Sequence, residues 1–480
     1  MRLMEYVDYD ATGLATLVRA GEVTPLELTR LAREAYVKAN PHINAVVEFY
    51  EDAENIVGAD GGSFYGVPFL RKDIGATEAG RLQERGSRLF KGHRPTTDSY
   101  FFRRAREGGL RTVGRTTMPE LGTSGMSESV LNGITRNPWS LERSTGGSSA
   151  GAAAAVVAGI TPIAHASDGG GSIRIPAAWC GLVGLNPSRG RISGGPNNQD
   201  ASFGLTREFV VCRTVRDMAA ALDLFSGPHP GDPFIIVQPN RTYVEELSQP
   251  TGVLRVGVAS TKWGDLDIDP QVLNAVASTA ALLQEMGHEV AEIDPPCDPA
   301  ERMRISLSRS NFFAHSLEDA ARTMGRPISP DTLEPMHLKF YEDGRNSQLS
   351  HPGELHEAMR RMRFRVGEAI NPFHILLTPT MPTMALTHGG IYSTTNPMLS
   401  AKEFKEAGAA LYQFLEVFNV TGQPSVSLPL AQSHEGLPIG VQIVARFGDE
   451  ATLVRIARDL ENARPWSHRR PSVRAGVVCA

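Results

Sequence analysis

Cysteine is scarce in this chain, with four (Cys180, Cys212, Cys297 and Cys479) in 480 residues. Their spacing fits neither a disulfide framework nor a CxxC or zinc-finger pattern, so no structural metal is expected. Few, unpatterned cysteines suit a reducing, intracellular setting. Runs of like charge are also missing. The basic stretches are pairs (Arg103–Arg104, Arg360–Arg361, Arg469–Arg470), and the formal net charge is −5. A nucleic-acid binder needs clustered basic charge, so no nucleic-acid partner is expected. Met1 to Asp10 has no apolar secretory region. The longest weakly polar run, Ala150 to Ala166, carries Thr161, Pro162 and His165 and is shorter than a membrane span needs. These absences predict a cytoplasmic chain without a membrane partner. No long linker, low-complexity tract or internal repeat divides it. With 41% hydrophobic and 21% charged residues it is not a disordered chain.

Periodicity fills in the elements. The first 50 residues read as helical, and Thr24-Pro25-Leu26-Glu27 offers an N-cap, a proline at the first helical position and an acidic first turn. Strands are expected at 65–74, 110–113, 254–259, 289–293, 375–377 and 438–444. Helices are expected at 151–159, at 270–286 behind the Asp269-Pro270 cap, and at 449–463. Strands alternating with helices predict an α/β layered domain with a large sheet.

What the chain has in excess is glycine: 47 of 480 residues, about a tenth against the usual share of about 7%. Ten of these fall between Gly146 and Gly190. Two clusters dominate, Gly146-Gly147-Ser148-Ser149-Ala150-Gly151 and Asp168-Gly169-Gly170-Gly171-Ser172. Glycine lets backbone N–H groups converge on one point, where they can hold an anion. A phosphate would call for GxxxxGK[ST] or a placed GxGxxG, and neither is present. The oxyanion of an acyl transfer would call for a nucleophile beside the donors, and Ser172 directly follows three glycines. Ser172 is outside any GxSxG elbow, so the usual α/β-hydrolase arrangement is not indicated. Serine needs a base. No histidine stands in a recognisable pairing motif. A lysine with a pKa lowered by burial can serve, and Lys72, at the end of an apolar strand, is the candidate. Neither HxH nor HExxH is present, which disfavours metal-dependent hydrolysis.

These runs resemble the amidase signature family. The resemblance rests on Gly146–Gly151 and on Ser167-Asp168-Gly169-Gly170-Gly171-Ser172-Ile173-Arg174-Ile175-Pro176-Ala177. It extends to Gly66–Asp73, Gly114–Glu120, Asn137-Pro138-Trp139 and Gly436–Gln442, and so covers essentially the whole chain. It implies a single large α/β domain over 1–480, a twisted mixed β-sheet covered by α-helices. Within it, 1–64 would be an N-terminal helical segment, 65–220 the signature core and 221–480 the rest of the sheet and its covering helices. It implies a Ser–cis-Ser–Lys triad: Ser172 as nucleophile, Ser148 as bridging serine 24 residues earlier, and Lys72 as base. The Gly147–Ser148 peptide would be cis. N–H groups of Gly169, Gly170, Gly171 and Ser172 would form the oxyanion hole, and Asp168 with Arg174 an ion pair bracing the loop.

The activity implied is hydrolysis of a small-molecule carboxylic amide through an acyl-enzyme, with no cofactor and no metal. A homodimer is the family-level expectation. The signature run is most similar to the bacterial branch that includes aryl acylamidases and hydrolases of cyclic 6-aminohexanoate dimers. Two alternatives stay open, a glutamine-hydrolysing subunit of a transamidation complex and a non-catalytic partner protein. Ile175, where transamidation subunits usually carry glutamine, weighs against the first. The presence of Ser172, Ser148 and Lys72 together weighs against the second. Gly125 and Met126, ahead of the glycine clusters, are candidates for the substrate pocket, and Met126 reads equally as core. Gly169 stands where a larger residue is frequent, and is expected to leave room at the acyl site. Arg71 alternates with Lys72 along its strand, so a surface position is expected for it.

Overall fold

Eleven strands hydrogen-bond into one sheet at the centre of the protein. The computed structural model describes residues 1–346 and 352–476, apart from the side chains of 307–312 and 352; Cys479 lies outside them. The strands are β1 (Val46–Phe49), β2 (Pro68–Lys72), β3 (Arg111–Thr116), β4 (Ile163–Asp168), β5 (Val183–Asn186), β6 (Arg207–Cys212), β7 (Arg255–Val258), β8 (Glu289–Glu292), β9 (Ile375–Pro379), β10 (Ser425–Gln432) and β11 (Pro438–Ala445). Their order across the sheet is β1-β3-β2-β4-β6-β5-β10-β11-β9-β7-β8. The sheet is mixed. β2 runs parallel to β3 and β4, and β7 runs parallel to β8 and β9. The remaining neighbours are antiparallel.

The helices form where their caps and apolar faces demand. Thr24 caps Pro25–Ile43: its Oγ1 accepts the Glu27 N–H, and the Glu27 carboxylate accepts the Thr24 N–H in return. Asn44, at φ 47°, then ends that helix. This is why the expected helical N-terminus stops short. The Val-Val-Glu-Phe segment behind it has β-branched and aromatic residues and becomes edge strand β1. Pro270–Glu285 buries Val272, Ala275, Val276 and Leu283 against the sheet. The helix Ala150–Val157 is buried on every side, as its alanines and valines allow.

With helices on both faces, the central strands have no solvent side, and every residue of β2, β4 and β6 is buried. This overturns the surface position expected for Arg71. Alternation does turn it away from Lys72, but the opposite face is also covered. Arg71 is 0% exposed; it donates to the Tyr50 hydroxyl at 2.7 Å and to the Leu82 carbonyl. Two adjacent parallel strands, β2 and β4, end at the same edge of the sheet, one in Lys72 and the other in Asp168. That edge is where the glycine loop begins.

Candidate active site

Lys72 is completely buried. Its Nζ lies 2.8 Å from Ser148 Oγ, 3.0 Å from Ser167 Oγ and 3.3 Å from the Ser167 carbonyl oxygen. Among the described residues, no carboxylate makes an ion pair or hydrogen bond with it. A neutral amine has two N–H donors and one lone pair. Ser167 offers two acceptors for the donors, and the Ser148 hydroxyl can donate into the lone pair. Burial pushes the Lys72 amine down to about 7, although the Glu208 and Asp168 charges pull the other way.

The first glycine cluster brings Ser148 to the amine. The Gly147–Ser148 peptide is cis. Gly147 N–H donates to the Gly125 carbonyl at 2.7 Å. A Cβ on Gly147 would lie 2.3 Å from the Met126 carbonyl oxygen, so no larger residue fits that backbone approach. Gly125 and Met126 thus lie directly against the bend. Gly125 N–H is held by the Tyr412 hydroxyl at 2.8 Å. The Met126 side chain is buried in an apolar cluster with Ile175, Trp179, Met381, Leu411 and Leu415.

The second cluster leads off β4. Asp168 accepts the Gly171 N–H at 2.6 Å and the Ile173 N–H at 3.1 Å. Arg174 grips the same carboxylate through Nε and Nη2, both at 3.0 Å, and Asn419 Nδ2 adds a bond at 2.9 Å. The remaining Arg174 donors reach the Leu415 carbonyl, Ser425, Gln442 and Asn419. Burial alone would raise the Asp168 carboxyl. The Arg174 guanidinium and these hydrogen bonds instead hold it well below the usual carboxylate range. Both ions are fully buried, so removing one strands the other. Arg174→Met is expected to lower unfolding stability by about 3–5 kcal/mol, read from urea denaturation. A loss under 1 kcal/mol would mean that the pair does not brace the loop.

The clamp takes up one of the N–H groups expected in the oxyanion hole. Gly171 N–H already belongs to Asp168. The N–H groups of Gly169, Gly170 and Ser172 have no protein acceptor among the described residues. Gly171 contributes shape instead: its φ is +130°, and a Cβ there would sit 2.6 Å from Leu415 Cδ1. The space expected at Gly169 is bounded, since a Cβ there would meet Thr206 Oγ1 at 3.0 Å. Ser172 is partly exposed. Its carbonyl accepts the Ser149 N–H at 3.3 Å, while its hydroxyl makes no hydrogen bond to Ser148. The structure therefore joins Lys72 to Ser148 and sets Ser172 at the end of the N–H loop, with the serine–serine link open.

Several contributors were invisible in the sequence. Ser167 holds the amine, Asn419 holds Asp168, and His165 and Glu208 stand behind Lys72. None lies in a glycine cluster, and strand pairing alone brings Glu208 opposite Ser167. Cys180 is a buried thiol pushed up by burial, the inert setting its apolar neighbours suggest. Glu120, Glu334 and His337 also gather ligand-type atoms in one buried place. Their carboxylate oxygens already accept from Ser87, Thr394 and the N–H groups of Glu334 and Val130. That group fastens the 120–123 segment to the Pro335–Asn346 helix, with Thr123 Oγ1 2.7 Å from His337 Nε2.

A buried amine beside the Ser148 and Ser167 hydroxyls, next to a glycine loop that ends in Ser172 on a mixed sheet of this order, fits a hydrolase of carboxylic amides. Residues 27–454 match the family model described as Amidase, and the chain belongs to that family. It is 37% identical over 480 residues to a 6-aminohexanoate-cyclic-dimer hydrolase of Paenarthrobacter ureafaciens, covering 97% of this chain and 96% of the relative. A solved structure of 6-aminohexanoate cyclic dimer hydrolase superposes with a TM-score of 0.90 at 34% identity, over 97% of this chain and 99% of that one. A bacterial aryl acylamidase shares the fold at a TM-score of 0.83 and 24% identity, over 96% and 97% of the two chains. The protein is an amidase, an enzyme that cleaves the amide C–N bond. Among the described residues, no helix is long and apolar enough to cross a membrane.

Proposed function

We propose that this amidase works through an acyl-enzyme on Ser172, with Lys72 as base and Ser148 as the relay between them. The observation that carries the reading is the 2.8 Å approach of Ser148 Oγ to a fully buried lysine amine. Ser172 Oγ attacks the amide carbonyl. Its proton passes to Ser148 as the Ser148 proton passes to Lys72. The carbonyl electron pair moves onto oxygen, facing the N–H groups of Gly169, Gly170 and Ser172. Collapse breaks the C–N bond, and the proton returns from Lys72 through Ser148 to the leaving nitrogen. Water then attacks the ester by the same route, releasing the carboxylate and restoring Ser172. The open link between Ser148 and Ser172 is compatible with this, because catalytic hydrogen bonds often tighten only with substrate in place.

The substrate class we infer is a small aliphatic oligoamide, cyclic or linear. Near-complete coverage of the cyclic-dimer hydrolase, at 37% identity, supports it. One continuous eleven-stranded sheet supports reading 1–480 as a single amidase domain. Three buried free thiols suit a reducing compartment, and we assign the cytoplasm. The test is amine release from a panel of cyclic and linear 6-aminohexanoate oligomers, aryl anilides, small aliphatic amides and peptide amides. Turnover is expected to be fastest on the oligomers. Release from anilides or peptide amides alone would overturn the substrate class.

A further inference from the structure

Next to Lys72 lies a second buried chain of contacts that the reaction scheme does not use. The Lys72 backbone N–H donates to His165 Nδ1 at 3.2 Å, and His165 Nε2 lies 2.8 Å from Glu208 Oε2. A ring that accepts at Nδ1 carries its proton on Nε2, so this geometry fixes a neutral imidazole that donates to Glu208. Burial keeps the ring neutral by lowering its pKa; Glu208 opposes this, and the Lys72 and Arg71 charges add to it. Phe101 and Phe102 wall the ring in, with centroids 4.8 and 5.3 Å away. His165 is 0% and Glu208 3% exposed.

The two acidic residues near the amine differ in how they are answered. The Lys72 amine meets Ser148 and Ser167, and the charges of Asp168 and of Glu208, on strand β6, bear on it without contact. Asp168 is neutralised by the two-point grip of Arg174. Among the described residues, Glu208 has one hydrogen-bond partner, the neutral His165. Arg207, its neighbour on β6, turns its guanidinium to the Leu205 and Asn419 carbonyls instead. Glu208 Oε1 is buried, with no hydrogen-bond partner among the described residues. The protein makes room for that oxygen: Gly75, at φ +83°, would place a Cβ 2.3 Å from it. A carboxylate kept only to tie strands together would be expected to have both oxygens satisfied.

We propose that His165 and Glu208 are positioning residues for Lys72, the ring holding the end of strand β2 and the uncancelled carboxylate setting the pH at which the amine becomes a base. The proposal rests on Lys72 acting as the base. It gives Glu208 a defined sign of action. A negative charge near the amine favours its protonated form, so removing the charge makes the amine neutral at lower pH.

The experiment is the pH profile of kcat/KM for the wild type, Glu208→Gln and Glu208→Asp, on whichever amide the wild type cleaves. Glutamine keeps the acceptor for His165 Nε2–H and loses the charge. The acid limb of Glu208→Gln is expected to move down by about one pH unit; an unmoved limb in that variant would overturn the proposal. Should Glu208→Gln fail to fold, Glu208→Asp decides. It keeps the charge but withdraws it from His165, so the limb should stay in place while kcat falls by up to about a hundredfold at unchanged KM, the scale of a catalytic group misplaced by about 1 Å. An unchanged kcat there would overturn it equally. Lys72→Met separates the two readings. Activity surviving in Lys72→Met would bring down the base assignment itself, whereas an inactive Lys72→Met beside an unmoved Glu208→Gln limb would bring down this inference alone.

Discussion

Ser172→Ala is expected to remove amide hydrolysis, with kcat falling by about 10⁶-fold, the scale on which a nucleophile and its base act as one unit. The side chain is partly exposed, and among the described residues its hydroxyl makes no hydrogen bond, so the folded state should be unaffected. The variant should therefore unfold at the wild-type temperature while losing both turnover and covalent labelling by a fluorophosphonate. That combination distinguishes a missing nucleophile from a damaged fold. Wild-type turnover in Ser172→Ala would sink the acyl-enzyme scheme.

Lys72→Met should be nearly as damaging, and its interest lies in the pH dependence it removes. Burial brings the Lys72 amine to about 7. An ordinary exposed lysine, near 10.4, would be neutral only about one time in a thousand at pH 7.4. The buried one is mostly neutral there. Wild-type kcat/KM should thus rise with pH through about 7 and level off above it. Below that the amine holds its proton and cannot accept one from Ser148. Stability has a related sign. Between about pH 7 and the ordinary lysine range the unfolded chain binds a proton that the folded one does not, so Lys72 makes the fold more stable as pH rises. Methionine at this position has no such charge to desolvate. It should be at least as stable as lysine at neutral pH, and its inactivity could not be put down to unfolding. An acid limb that survives unchanged in an active Lys72→Met would assign the titration to another group.

How much of this could be read in the chain varies with how local the cause is. Strand β2, the helix Pro25–Ile43 with its Thr24 cap, and the C-terminal helix all carry their signals within a few residues. The glycine clusters mark the two loops because close backbone approach selects glycine wherever it occurs. The sequence did not disclose which N–H groups stay free. Gly169, Gly170 and Gly171 look equivalent in a row, and only the Asp168 carboxylate, folding back on its own loop, takes the third. Strand β4 was also hidden. Ile-Ala-His-Ala-Ser-Asp has neither an apolar run nor a polar alternation, since both of its faces are buried and one holds the amine. Arg71 was misread for the same reason. The period of two was right, but it predicts exposure only when one face of a sheet meets water.

Arg71 also shows how closely function depends on the alignment of one strand with the next. Side chains on β2 alternate, so a slip of a single residue would exchange the places of Arg71 and Lys72. The two are neighbours, both basic and both buried, and packing alone would distinguish them poorly. Chemically they are not interchangeable, because a guanidinium does not give up its proton in a protein and so cannot accept one from a serine. A slipped chain could keep its sheet and its core and still have no base. The bonds from Arg71 to the Tyr50 hydroxyl and the Leu82 carbonyl thus act as a proofreading contact for a site on the other face of the sheet.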